Sequence, residues 1–131
     1  MSTRRTTTRE RLGASGTGWE MYVEGNVVVA EFTRAAAFDE VEQIQEAFVR
    51  CVRQPRVTAH VAHMDLDRSP GERMLGGAAE AAAVGSEHGL EKWAAVADSI
   101  ERLAVKCRVS EADIDVLATD DVTEAMTWAR E

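Results

Sequence analysis

Lysine is almost missing from this chain: Lys92 and Lys106 are the only two, and arginine supplies the other basic residues. Acidic residues outnumber basic ones by 23 to 15, for a formal net charge of -8 and a pI near 4.9. That balance lacks the positive field that a phosphate backbone requires and excludes broad nucleic-acid affinity. Acidic excess, scarce lysine and abundant alanine together match a salt-adapted, halophilic protein from a GC-rich source. Cysteine is equally sparse. Cys51 and Cys107 lie far apart, with no CxxC spacing and no secretory context, so both are expected as reduced, buried thiols. No apolar run approaches the roughly 20 residues needed to cross a bilayer. Met1 to Gly18 lacks the apolar stretch of a secretory signal. The expectation is a protein with no membrane span and a cytoplasmic location.

Catalytic signatures are also missing. There is no glycine-rich loop of P-loop spacing, no GxSxG elbow and no HExxH helix. A triad of scattered Ser, His and Asp stays open to assembly by folding. With three histidines, two of them in one strand, the balance favours a protein that is not an enzyme and needs no cofactor. The cluster His60, His63, Asp65 and Asp67 holds the candidate metal ligands. In a strand of period two His63 and Asp65 share a side while His60 faces the other, so no metal site is expected.

What is present is enough for one core. A chain of 131 residues, 45% hydrophobic, fits a single domain that buries roughly two thirds of its unfolded surface. Residues 1–17 carry almost no apolar side chains and end in a Gly/Ser cluster, so they are expected as a disordered arm preceding a domain over 18–131. Arg4, Arg5, Arg9 and Arg11 make that arm locally basic, leaving it as the one route to a nucleic-acid contact.

From Trp19 the pattern turns strand-like. Trp19 to Val23 and Val27 to Phe32, separated by Glu24-Gly25-Asn26, read as a β-hairpin. Phe38, Val41, Ile44, Phe48 and Cys51/Val52 recur at helical spacing, giving an amphipathic helix over 38–53 that Pro55 ends. Val57 to Met64 supplies the next strand. Ser69-Pro70-Gly71-Glu72 is a helix start, with Ser at the N-cap and Pro in the first turn, and predicts a helix over 70–87 that Gly89 terminates. Its interior of Gly and Ala lets the backbone lie close to a neighbouring sheet. Lys92 to Ala97 reads as a buried strand, followed by a short helix through Cys107. Ile114 to Ala118 is a last strand, and Asp121 and Glu124 cap a closing helix. Strands alternating with helices require crossovers, so the fold class is α/β with a mixed sheet of about five strands, in the order ββαβαβαβα. Trp19, Trp93 and Trp128 each sit in an apolar periodic segment and are expected in packing rather than in a binding patch.

The stretch Lys92-Trp93-Ala94-Ala95-Val96-Ala97-Asp98, the strand Ile114 to Ala118 and the helix Glu124-Ala125-Met126-Thr127-Trp128 resemble the SpoIIAA-like, or STAS-like, domains related to anti-sigma-factor antagonists. The hairpin Glu24-Gly25-Asn26-Val27-Val28-Val29 is similar to the opening of such domains. The resemblance runs from Met21 to Arg130. It implies a non-enzymatic regulatory module that docks on a protein partner, in some members under control of serine phosphorylation at the start of the second helix. Ser69 falls at that place, within Asp67-Arg68-Ser69-Pro70-Gly71, whereas the regulated antagonists carry Asp-Ser before a Gly-rich turn. A phosphate on Ser69 would meet the positive end of the helix dipole and pair with Arg68 or Arg73; the simpler role is the N-cap alone.

The expected binding surface is therefore Asp65, Asp67, Arg68, Ser69, Arg73, Met74 and Leu75, at the end of the third strand and on the second helix. Protein binding there is the leading expectation. The alternative is a carrier of a small apolar ligand or lipid, in which helix 70–87 moves off the sheet to open a pocket. An enclosed apolar cavity favours the carrier; a filled core beneath an exposed apolar patch favours docking. An exposed hairpin strand also permits a homodimer.

Overall fold

The computed structural model describes residues 14–34, 36, 38–65, 71–98, 105, 106, 108–110 and 112–131. Among these residues six strands form one mixed sheet in sequential order: β1 (Ala14–Gly16), β2 (Trp19–Glu24), β3 (Val27–Phe32), β4 (Ala59–Met64), β5 (Lys92–Val96) and β6 (Asp115–Thr119). The first three run antiparallel, and β3 to β6 run parallel. The α/β class is as expected; the strand count is six, not five. The additional strand is β1, which pairs Ala14 with Met21 and Gly16 with Trp19. Its residues carry little apolar surface of their own and form a strand because β2 offers an unpaired edge. Of the segment expected as an arm, residues 14–16 form strand β1 and Thr17 lies in the turn after it, and residues 1–13 lie outside the described residues. β1 also covers the Trp19–Met21 half of the hairpin edge through which a homodimer could pair.

The hairpin closes with Glu24 opposite Val27. Gly25 takes a φ of 65°, which the first central residue of a II′-type turn needs and a side chain would resist. Each parallel neighbour is reached by a crossover. Because successive strands are adjacent and such crossovers share one hand, the helices between them stack on one face. They are α1 (Val41–Val52), preceded by a 3-10 turn at Phe38–Glu40, then α2 (Gly71–Glu87), and helical residues around Val105 and Val109. A last helix, α3 (Val122–Arg130), follows edge strand β6 and returns across the opposite face, over β4 and β5.

Two apolar layers result. Met21, Val28, Ala30, Phe32, Ala62 and Trp93 pack with Ile44, Phe48 and Val52 of α1 and with Ala81 and Ala82 of α2. Val27, Val29, Val61, Ala94 and Val96 pack with Ala125 and Ala129 of α3. Burial on both faces explains the unbroken apolar runs of β3 and β5, where alternation is not visible in the sequence. Trp19 and Trp93 are buried as expected. Trp128 is half-buried, with Lys92 Nζ 5.2 Å above its ring and bonded to its carbonyl at 2.8 Å.

Several termini follow from local chemistry. Asp121 accepts from the Thr123 and Glu124 amides at 2.9 and 3.2 Å, the cap expected from sequence. α2 ends as Gly89 takes a φ of 96°, while the Leu90 amide bonds Gly85 O at 2.8 Å and the Gly89 amide bonds Ser86 O at 3.2 Å. That pair of bonds is a Schellman motif. The start of α2 at Ser69 and Pro70 lies outside the described residues. Ahead of α1, Glu40 accepts from Thr17 N (2.9 Å), Trp19 Nε1 (2.8 Å) and Thr17 Oγ1 (2.8 Å). These bonds, the Thr17 amide foremost, hold the Glu40 carboxyl below the usual carboxylate range.

Candidate functional site: an apolar pocket under α2

The glycines of α2 place it in an unexpected way. Sequence suggests that this helix lies close to the sheet; its backbone approaches α1 more closely than the strands, and it meets the sheet layer through the small side chains of Ala81 and Ala82. Gly77 is the point of approach, where an added Cβ would sit 3.2 Å from Gln45 Nε2 and Val41 Cγ1. Gln45 Nε2 donates to the Gly77 carbonyl at 2.5 Å, pinning the two helices together. Gly85 makes the second approach, toward Leu90 and Phe48. Between these contacts Ala78 and Ala81 look onto Ala30 and Ala62 of the sheet. Alanines on both sides cannot fill the space while Met21, Phe32, Phe48 and Trp93 hold the layers apart.

A pocket of about 50 Å³ remains there, several times the roughly 10–15 Å³ that one water centre needs. Met21, Met64 and Met74 contribute three thioether side chains to its wall, a type that adapts its shape to irregular contents. Ile44 and Val41 of α1, Leu75 of α2 and Val105 complete the apolar surface. Arg108, beside Val105, pairs with Glu72 of α2 and ties the closing segment to the helix.

Among the described lining residues three carry polar side-chain atoms: Gln45, His60 and Trp93. Gln45 is spent on α1–α2 pairing. His60 and Trp93 occupy directly paired positions of β4 and β5, each 3% exposed. Their ring centroids are 4.3 Å apart and inclined by 75°, with Phe48 edge-on to His60 at 5.0 Å. His60 Nδ1 lies 2.9 Å from the Val28 carbonyl. A carbonyl only accepts, so Nδ1 carries the proton and Nε2 of the neutral ring presents a lone pair. Burial holds the imidazole down to a pKa of about 4, against the opposing pull of the Val28 carbonyl, so it is neutral at pH 7. Trp93 Nε1 is closed to solvent and has no hydrogen-bond partner among the described residues. A buried donor left unpaired costs on the order of 1–3 kcal/mol.

The residues singled out from sequence divide into three groups. Met74 and Leu75 are half-buried, in keeping with partial exposure, and line the pocket. Asp65 and Arg73 are exposed: Arg34 Nε lies 3.8 Å from Asp65 Oδ1, and Arg73 Nη2 lies 3.6 Å from Glu42 Oε1. Asp67, Arg68 and Ser69 lie outside the described residues. His60 and His63 project to opposite faces of β4, and no group of three His, Cys, Asp or Glu converges among the described residues. Cys51 is buried; Cys107 lies outside the described residues. Sequence reasoning missed His60 and Trp93 as a pair, because their adjacency depends on the register of β4 against β5, which no local pattern encodes. A histidine recurring in phase with Ala62 and Met64 was the available signal.

No family model matches this chain, and no curated protein does. Among solved structures, that of an enoyl-CoA hydratase from Geobacillus kaustophilus HTA426 is similar at 6% identity and a TM-score of 0.45, over 90% of this chain and 75% of that one. A likeness that distant assigns neither a family nor an activity.

Proposed function

We propose that this domain binds a small apolar molecule, without transforming it, in the pocket between α2, α1 and the sheet. The observation that carries the reading is the unfilled apolar space beneath a helix whose backbone rests chiefly on α1. Small-molecule sites are concave, mostly apolar, and carry few convergent polar groups; here those are His60 and Trp93. A benzene-sized guest needs roughly 150 Å³, so α2 has to ride outward on entry, and its slender hold on the sheet allows it. Val122 alone among the described large hydrophobics is exposed, so a ready-made apolar docking patch has less support.

The STAS-like reading fits within this proposal. The segments that carry the resemblance fold as strand β5 and helix α3, which supports it. Protein docking keeps one favourable observation: Arg73, next to Met74 on α2, is exposed and lies 3.6 Å from Glu42 of α1, a charged pair through which a partner would sense α2 moving. No helix among the described residues is long and apolar enough to cross a membrane, which supports a domain that works outside the bilayer, in the cytoplasm.

Titration with benzene, followed through methionine methyl resonances, tests the proposal. Met21, Met64 and Met74 should shift together and saturate, while Met126, packed on the opposite face with α3, stays still. Absence of saturable shifts, or an equal response at Met126, contradicts it.

A further inference from the structure

Two polar groups on one apolar wall specify more than an apolar guest. Trp93 Nε1–H is a donor with no partner among the described residues, shielded from water. His60, paired with Trp93 across the strands, is fixed by the Val28 carbonyl in the tautomer whose Nε2 only accepts. Nε2 has no hydrogen-bond partner among the described residues either. A donor and an acceptor of this kind, carried by rings whose centroids are 4.3 Å apart, complement a group that both accepts and donates. Among the described residues no Arg, Lys, Asp or Glu side chain lines the pocket, so a charged ligand would meet no counter-ion from them, which is strongly unfavourable.

We infer that the ligand of this pocket is a neutral molecule with an apolar body and a hydroxyl group, the oxygen accepting from Trp93 Nε1 and its proton donated to His60 Nε2. This rests on the pocket being the binding site. The hydroxyl is the smallest group that serves both partners at once. It gives the ligand one orientation: polar end against β4 and β5, apolar body toward the methionines and α2. Hydrocarbons of the same size lose that pairing, and carboxylates add an uncompensated charge.

Benzene, phenol and benzoate share one ring and differ only at the polar end. Their affinities for the full chain, and for Trp93→Phe and His60→Phe, read the inference directly. Phenol should bind the wild type about tenfold more tightly than benzene, the worth of one good buried hydrogen bond, with benzoate weakest. Each substitution should bring phenol and benzene to near parity while benzene affinity changes little. A second readout needs no folded variant for the measurement itself. The indole proton of Trp93, one of three such signals, should move downfield with phenol and not with benzene, while those of Trp19 and Trp128 remain in place. Equal binding of phenol and benzene to the wild type, or a phenol preference that survives both substitutions, overturns the hydroxyl assignment and leaves the pocket standing. Tightest binding of benzoate overturns the neutral assignment. Saturable binding of none of the three removes the pocket itself.

Discussion

His60 and Trp93 stand at paired positions on neighbouring parallel strands, their ring centroids 4.3 Å apart and the rings inclined by 75°, and both line the pocket beneath α2. The imidazole is neutral because it is buried, and the indole N–H is unpaired because nothing in the described structure comes to meet it. Together they turn an apolar space into one with a polar end.

The neutral state of His60 makes stability depend on pH. Its pKa is about 4 when folded against 6.5 ordinarily, so between those values the unfolded chain binds the additional proton. The contribution is complete above pH 6.5 and is lost as pH falls toward 4. Its size is on the order of 3 kcal/mol. Urea midpoints for the wild type and His60→Phe at pH 7.5 and 4.5 isolate it from the carboxylates, which titrate in both proteins. The wild type should lose more stability on acidification; parallel losses contradict the assignment.

Adjacent glycines in α2 should respond oppositely to substitution. A Cβ at Gly76 meets nothing within 4 Å, whereas one at Gly77 meets Gln45 and Val41 at 3.2 Å. Gly76→Ala should therefore raise stability by about 0.5–1 kcal/mol through helix propensity. Gly77→Leu should lower it by about 1–3 kcal/mol through overpacking against α1. Thermal denaturation of the two variants gives the signs.

Legibility from sequence followed the range of the interactions. The Asp121 cap, the Gly89 stop and the Gly25 turn were readable because each is a bond or a dihedral set within a few residues. Helix α1 was readable from Ile44, Phe48 and Val52 recurring on one face. β1 was not, since Ala14, Ser15 and Gly16 have no strand propensity and pair only because β2 presents an edge. The seating of α2 on α1 was likewise hidden. Small residues signalled close approach, but whether to α1 or to the sheet depended on the bulk of Phe48 and Trp93, set by distant packing. Sequence placed Met74 and Leu75 in the binding region and gave no reason to turn them inward.

Removing the cap on α3 tests the opposite face. Asp121→Ala leaves the Thr123 and Glu124 amides without the oxygen they donate to, and should cost about 1 kcal/mol. Asp121→Asn should retain most of it. Chemical denaturation of the pair reads the difference, and equal losses would remove the cap's assigned role.

Cys51 should resist thiol reagents. Burial pushes its thiol up to about 11, only partly countered by Arg50, so almost no thiolate exists at pH 7. In a Cys107→Ser background, labelling should proceed at the rate of unfolding and accelerate in urea. Immediate labelling of the folded protein contradicts the burial.

Crystals pressurised with xenon test the central claim most directly, because xenon enters dry apolar cavities and ignores polar surface hollows. The account expects a xenon peak between Phe48, Ala78 and Trp93, beneath α2. An empty pocket, with its space filled by repacked methionine side chains or with xenon only elsewhere, would contradict it.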